Sequence, residues 1–107
     1  MKIKQEEIKP LYFTVTRNKN AVDITGCSFF LGVKKEKEDP EYAFYKNNSS
    51  FEITDEEEGV VYCMLEKSDT TSLEEGSYVG ELVITFPSGY EEKSDDFEIY
   101  IKESVTV

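Results

Sequence analysis

The chain has 107 residues, enough for one hydrophobic core and too few for two. Hydrophobic residues make up 38% of it and aromatic residues 13%, which supports a packed core despite 33% charged side chains and excludes disorder from low hydrophobicity. Its 23 acidic against 12 basic side chains give a net charge of −11, a field that repels nucleic-acid phosphates and anionic lipid, so neither is an expected partner.

Met1-Lys2-Ile3-Lys4-Gln5-Glu6-Glu7 is too charged for a signal peptide, and no apolar run is long enough for a transmembrane helix. A protein made in the cytosol, and kept there or assembled from there into a particle, is the expectation. Period-two alternation then runs through nearly every segment. Leu11, Phe13 and Val15 alternate with Tyr12, Thr14 and Thr16, predicting a strand. Arg17 to Asn20 reads as a polar turn, after which Val22 and Ile24 flank Asp23. Beyond Gly26, the residues Cys27, Phe29, Leu31 and Val33 share one strand face, while Ser28, Phe30 and Gly32 share the other. Lys34 to Pro40 is a charged loop or arm. Tyr42 to Tyr45 and Phe51 to Ile53 predict two short strands around the turn Lys46 to Ser50. An acidic turn from Asp55 to Gly59 leads into Val60 to Leu65, with Val61, Cys63 and Leu65 on one face.

Ser68 to Glu75 is a polar crossover with room for one helical turn. It delivers the chain to Leu73-x-x-Gly76-x-Tyr78, the pattern of a tyrosine corner, in which a ring seals the core and its hydroxyl bonds the backbone upstream. A strand from Tyr78 to Phe86, a Pro87-Ser88-Gly89 turn and a strand through Phe97, Ile99 and Ile101 complete the series. The expected fold is all-β: a single immunoglobulin-like antiparallel β-sandwich over residues 1–107, its core about 10–103, with about seven strands in Greek-key order and the corner at Tyr78.

Catalytic chemistry finds few materials. The chain has no histidine, which removes most triads, zinc sites and proton shuttles. Cys27 and Cys63 lack Cys-x-x-Cys spacing and sit at inward strand positions. A bridge between sheets is conceivable, but in a reducing compartment buried thiols are expected. No glycine-rich loop opens a helix, and the acidic runs lack the spacing of a calcium loop. The expectation is a protein that is not an enzyme and carries no cofactor or metal. Tyr12, Tyr42, Tyr45, Tyr62 and Tyr100 fit either a recognition surface or cross-strand pairs.

The series Val22-Asp23-Ile24-Thr25-Gly26-Cys27-Ser28-Phe29-Phe30-Leu31-Gly32-Val33-Lys34 resembles the opening of the N-terminal domains of phage baseplate upper proteins. Gly59 to Leu65, Leu73-x-x-Gly76-x-Tyr78, Pro87-Ser88-Gly89 and Phe97-x-Ile99-x-Ile101 follow in the family's order, so the resemblance spans residues ~10 to 103, a whole domain of ordinary size. It implies an immunoglobulin-like module of a tailed-phage virion, in the tail, baseplate or neck, that docks onto other virion proteins, in several copies. Asp23 and Thr25 would bond nearby backbone groups, and Gly26 would permit the bend into the strand. Edge-strand pairing and an aromatic patch at Tyr42, Phe44 and Tyr45 would make the interface. Family members often continue into longer proteins, whereas this chain ends at Ser104-Val105-Thr106-Val107, which suggests either a freestanding virion protein or a separately encoded decoration or accessory subunit. Residues 34–50 are longer and more charged than in the family, suggesting an assembly arm or insertion. A module that binds host-surface carbohydrate and a small acidic inhibitor or regulator are the alternatives.

Overall fold

In a computed structural model, residues 1–105 are described, so 106 and 107 of the expected domain lie outside the described residues. Alternating apolar and polar side chains build β1 (Lys2–Lys4), β2 (Lys9–Thr14), β3 (Thr16–Arg17), β4 (Asn20–Ala21), β5 (Ser28–Lys34), β6 (Phe44–Lys46), β7 (Phe51–Asp55), β8 (Val60–Leu65), β9 (Gly76–Thr85), β10 (Glu91–Lys93) and β11 (Phe97–Lys102). Among the described residues, helix is limited to a 3-10 turn at Asn48–Ser50 and one α-turn, α1 (Lys67–Thr70). The chain is all-β, as the periodicity predicts.

The larger sheet has the order β1-β11-β9-β5-β6, with β10 pairing the far end of β9; the smaller has the order β2-β8-β7, and β3-β4 is a separate ribbon. Among the described residues, every pairing is antiparallel except β1 with β11. One buried cluster joins the inward faces of both sheets: Phe29, Leu31, Val33, Tyr78, Leu82, Ile84, Ile99 and Ile101 from the larger, Leu11, Val61, Cys63 and Leu65 from the smaller. Both cysteines are buried free thiols. Burial pushes the Cys63 thiol up to about 11, the Asp69 charge adding slightly and the Lys46 charge opposing.

The corner residue is where the motif puts it. Tyr78 is buried, its hydroxyl donates to the Glu74 carbonyl at 2.7 Å, and the Lys35 ammonium lies 4.6 Å from its ring centre. Leu73 packs against the core beside it.

Three features depart from the sequence reading. Lys2-Ile3-Lys4 carries one apolar residue, too few to show a period, yet it forms β1, with Ile3 inserted into the core. The chain then reverses through Glu6 in the left-handed region (φ 62), whose N–H is held by the Thr70 hydroxyl at 2.8 Å. The final strand is two pieces, because Ser94 pinches the chain against Leu82: its N–H donates to the Leu82 carbonyl and its hydroxyl accepts the Leu82 N–H, at 2.8 and 2.9 Å. Lastly, the two short middle strands belong to different sheets: β6 pairs β5 while β7 pairs β8. The 3-10 turn between them carries the chain across the core, tied to the start of β5 by the Asn48 side chain, which accepts the Phe29 N–H at 2.9 Å.

Candidate functional site

Strand parity decides which aromatics face outward. On β5, Phe29, Leu31 and Val33 point into the core, so Phe30, Gly32 and Lys34 lie on the opposite face. The register pairs Gly32 with Tyr45 and Val33 with Phe44. Tyr45 therefore shares the outward face with Gly32, and Phe44 shares the inward face with Val33. Phe44 is only 7% exposed, against 48% for Tyr42 and 55% for Tyr45. The expectation that Phe44 belongs to the exposed interface is thus corrected: it is a core residue.

The charged segment after β5 folds back on this face rather than projecting as an arm. Glu36 and Asp39 close a turn through Asp39 N–H to Glu36 carbonyl and Glu36 N–H to Asp39 carboxylate, both at 3.0 Å. Ala43 N–H then donates to Val33 carbonyl at 2.7 Å. That return lays the Tyr42 ring over Gly32, where a Cβ would stand 2.6 Å from the ring edge. Glycine suits the position through this close approach, not through its backbone angles, and a larger residue would displace the Tyr42 ring.

Three rings result in mutual contact: Phe30–Tyr42 edge-on at 5.6 Å, Phe30–Tyr45 stacked at 5.8 Å and Tyr42–Tyr45 tilted at 5.9 Å. The Lys34 ammonium lies 5.3 Å from the Tyr42 ring centre. Beside the rings opens a depression of about 170 Å³, floored by Gly32, Val79 and Val83 and bordered by Glu81, Lys37 and Asp96. Lys37 and Asp96 are paired at 2.6 Å, and this carboxylate, with Glu81 adding its charge, raises the Lys37 pKa above the usual lysine range. Two lysines and two carboxylates balance locally, so the patch is close to neutral within an acidic molecule. It can stack against an apolar or flat surface and exchange hydrogen bonds through tyrosine hydroxyls and carboxylates.

The other tyrosines divide. Tyr12 and Tyr62 are directly opposed across β2 and β8, rings 5.3 Å apart, and form a cross-strand pair on the smaller sheet. Tyr62 also donates to Glu52, and this hydrogen bond, followed by the carboxylate's charge, raises the phenol pKa. Tyr100 is half-buried opposite Ser77.

Asp23, Thr25 and Gly26 lie in the loop entering β5, apart from the aromatic face. The Asp23 carboxylate accepts the Thr25 N–H at 2.9 Å and its hydroxyl at 2.6 Å, and these bonds, the hydroxyl first, hold Asp23 below the usual carboxylate range. Gly26 takes φ 74, the left-handed conformation that lets Cys27 N–H return to the Ile24 carbonyl at 3.0 Å. Ile24 N–H donates to the Glu56 carbonyl at 3.0 Å, so the motif fastens this loop to the β7–β8 turn.

Sequence reasoning passed over Phe30, Gly32 and the residues of β9 on this face. Parity marked Phe30 and Gly32 as outward; what no linear pattern carried was the return of the charged loop. Among the described residues, no group of three or more His, Cys, Asp or Glu is placed to hold a metal ion. No family model matches the chain, and no curated protein matches it.

Proposed function

We propose that the chain is a non-enzymatic assembly protein of a tailed-phage virion, in the tail, baseplate or neck, which docks onto other virion proteins through the face built by Phe30, Tyr42 and Tyr45. The observation that carries this reading is the ring cluster itself: two half-exposed tyrosines on a near-neutral patch at the short edge strand β6. Exposed aromatics clustered in this way are typical anchors of protein interfaces. The ordered motifs from Asp23-x-Thr25-Gly26 to Ile101 supply the virion context.

The finer fold assignment belongs to the same proposal. Reading β2, β8 and β7 as strands B, E and D, and β5, β9 and β10–β11 as C, F and G, gives the two sheets of an immunoglobulin-like Greek key. The bond from Tyr78 to Glu74 supports that reading. Antibody raised against the protein should label purified particles at discrete positions on the tail or neck. Particles free of label, with the antigen left in the soluble lysate, would remove the proposal.

A second reading is favoured by one feature. A depression walled by rings and edged by carboxylates also suits a sugar ring, so host-surface carbohydrate is the alternative ligand. A glycan array distinguishes the two: reproducible hits abolished by Tyr42→Ala favour it, and a blank array excludes it.

A further inference from the structure

A second surface, independent of the aromatic face, lies where the two sheets part. The smaller sheet ends at β2, because the N-terminal segment pairs with β11 of the larger sheet instead of adding to β2. Opposite this free edge, the Ser94 pinch separates β10 from β11 and leaves a gap in the larger sheet's rim. The result is a cleft of about 320 Å³, floored by Phe13, Val15, Leu82, Ile84 and Phe97. The Phe13 and Phe97 rings meet across it at 6.0 Å, and both stay partly exposed.

Edge strands in native folds are usually shortened, bulged or charged against pairing. Here β1 and β6 have three residues each, and β7 carries a register shift between Ile53 and Asp55. By contrast β2 runs for six residues in unbroken register, and only its first two, Lys9-Pro10, are of the protective kind. We propose that the β2 edge from Leu11 onward, with the cleft beneath it, accepts an extended strand from a partner protein, one with apolar residues on one side and lysine or arginine on the other.

The apolar side follows from the floor: every second side chain of an added strand would drop onto Phe13, Leu82, Ile84 or Phe97, while its backbone completes the ladder. The basic side follows from charge. Glu92, Lys93 and Asp95 line the cleft, and Arg17 is paired to Glu92. Two carboxylates and two cations balance at the rim, so the selecting field is that of the whole molecule, whose net charge of −11 favours a cationic strand and disfavours a second copy of this chain.

The test is an amide NMR titration of the protein with an octapeptide of alternating lysine and valine, and in parallel with its glutamate–valine counterpart. Expected are shifts centred on residues 11–16 and 82–97, seen only with the lysine peptide. Affinity should fall by roughly tenfold in Glu92→Lys/Asp95→Lys and decline steeply with salt in the unaltered protein. Equal response to both peptides, shifts centred on Tyr42 and Tyr45, or no response would overturn the proposal. So would concentration-dependent shifts at β2 without peptide, which would make a second copy the occupant. None of these outcomes bears on whether the protein is part of a particle, so this proposal and the virion reading fail separately.

Discussion

Tyr78 and Tyr45 are the same amino acid under opposite constraints. The Tyr78 ring is inside the core and its hydroxyl satisfies the Glu74 carbonyl. Tyr78→Phe should cost about 1 kcal/mol for the lost bond, and Tyr78→Ala about 3–5 kcal/mol for the emptied volume, both read by urea unfolding. Tyr45→Ala removes a ring that is 55% exposed and should change stability by no more than about 0.5 kcal/mol. Equal losses at the two positions would contradict the assignment of inside and outside. Cys63 gives a further check at this scale. Its folded thiol titrates at about 11 against an ordinary value of 9.0, so the neutral form is favoured in the folded state. Stability from this group is fully present below pH 9.0 and is lost as pH rises toward about 11. Native protein at neutral pH should leave Cys63 unlabelled by iodoacetamide, with labelling appearing on unfolding. At the residue scale the sequence was largely legible: alternation located Tyr78, Cys63, Leu82 and the outward Phe30. It misplaced Phe44, because Tyr42-Ala43-Phe44-Tyr45 offers aromatics at both parities and only the pairing with β5 decides which turn inward.

The elements that sequence missed are those whose reason to exist lies in a distant partner. β1 has one apolar anchor and is a strand only because β11 receives it; β10 is polar throughout and is a strand only because β9 extends past the Ser94 pinch. The junction of β6 with α1 is of the same kind. Lys46 faces inward on β6 and pairs with Asp69 at 2.9 Å, both side chains largely buried, while Asp69 also accepts the Glu66 N–H at 2.8 Å as part of a capping box. Asp69→Ala would strand the Lys46 charge and strip the cap. A loss of about 3–5 kcal/mol is expected by chemical denaturation, with Lys46→Met/Asp69→Leu recovering most of it. A double variant no more stable than Asp69→Ala would show that the pair contributes more than a cancelled charge. The β7–β8 turn is equally specific. Gly59 takes φ 71, and a Cβ there would stand 2.6 Å from the Val15 carbonyl oxygen and 2.7 Å from that of Val22. Gly59→Ala should therefore destabilise by clash as well as by backbone strain, by about 1–3 kcal/mol. Of this junction the acidic Asp55–Gly59 turn was legible; the carbonyls packed against it were not.

For the whole molecule, charge and surface set behaviour. Asp23 and Glu7 titrate below the usual carboxylate range, Asp23 through the Thr25 hydroxyl and N–H and Glu7 chiefly through the Lys4 N–H. Their stabilisation is present above the unfolded carboxylate range and is lost as pH falls through their depressed values. At neutral pH the net charge of −11 works against compactness, so raising NaCl to about 0.5 M should raise the melting temperature. A lowered melting temperature would mean that the ion pairs outweigh the self-repulsion. The larger claim is that the Phe30–Tyr42–Tyr45 face is an assembly surface. It is tested most directly by photo-crosslinking from a benzoylphenylalanine placed at Tyr45, in phage particles purified by density gradient and analysed by mass spectrometry. The expected result is a crosslink to a tail, baseplate or neck protein at a stoichiometry fixed from particle to particle. Absence of the protein from purified particles, while it is abundant in the lysate, would contradict it.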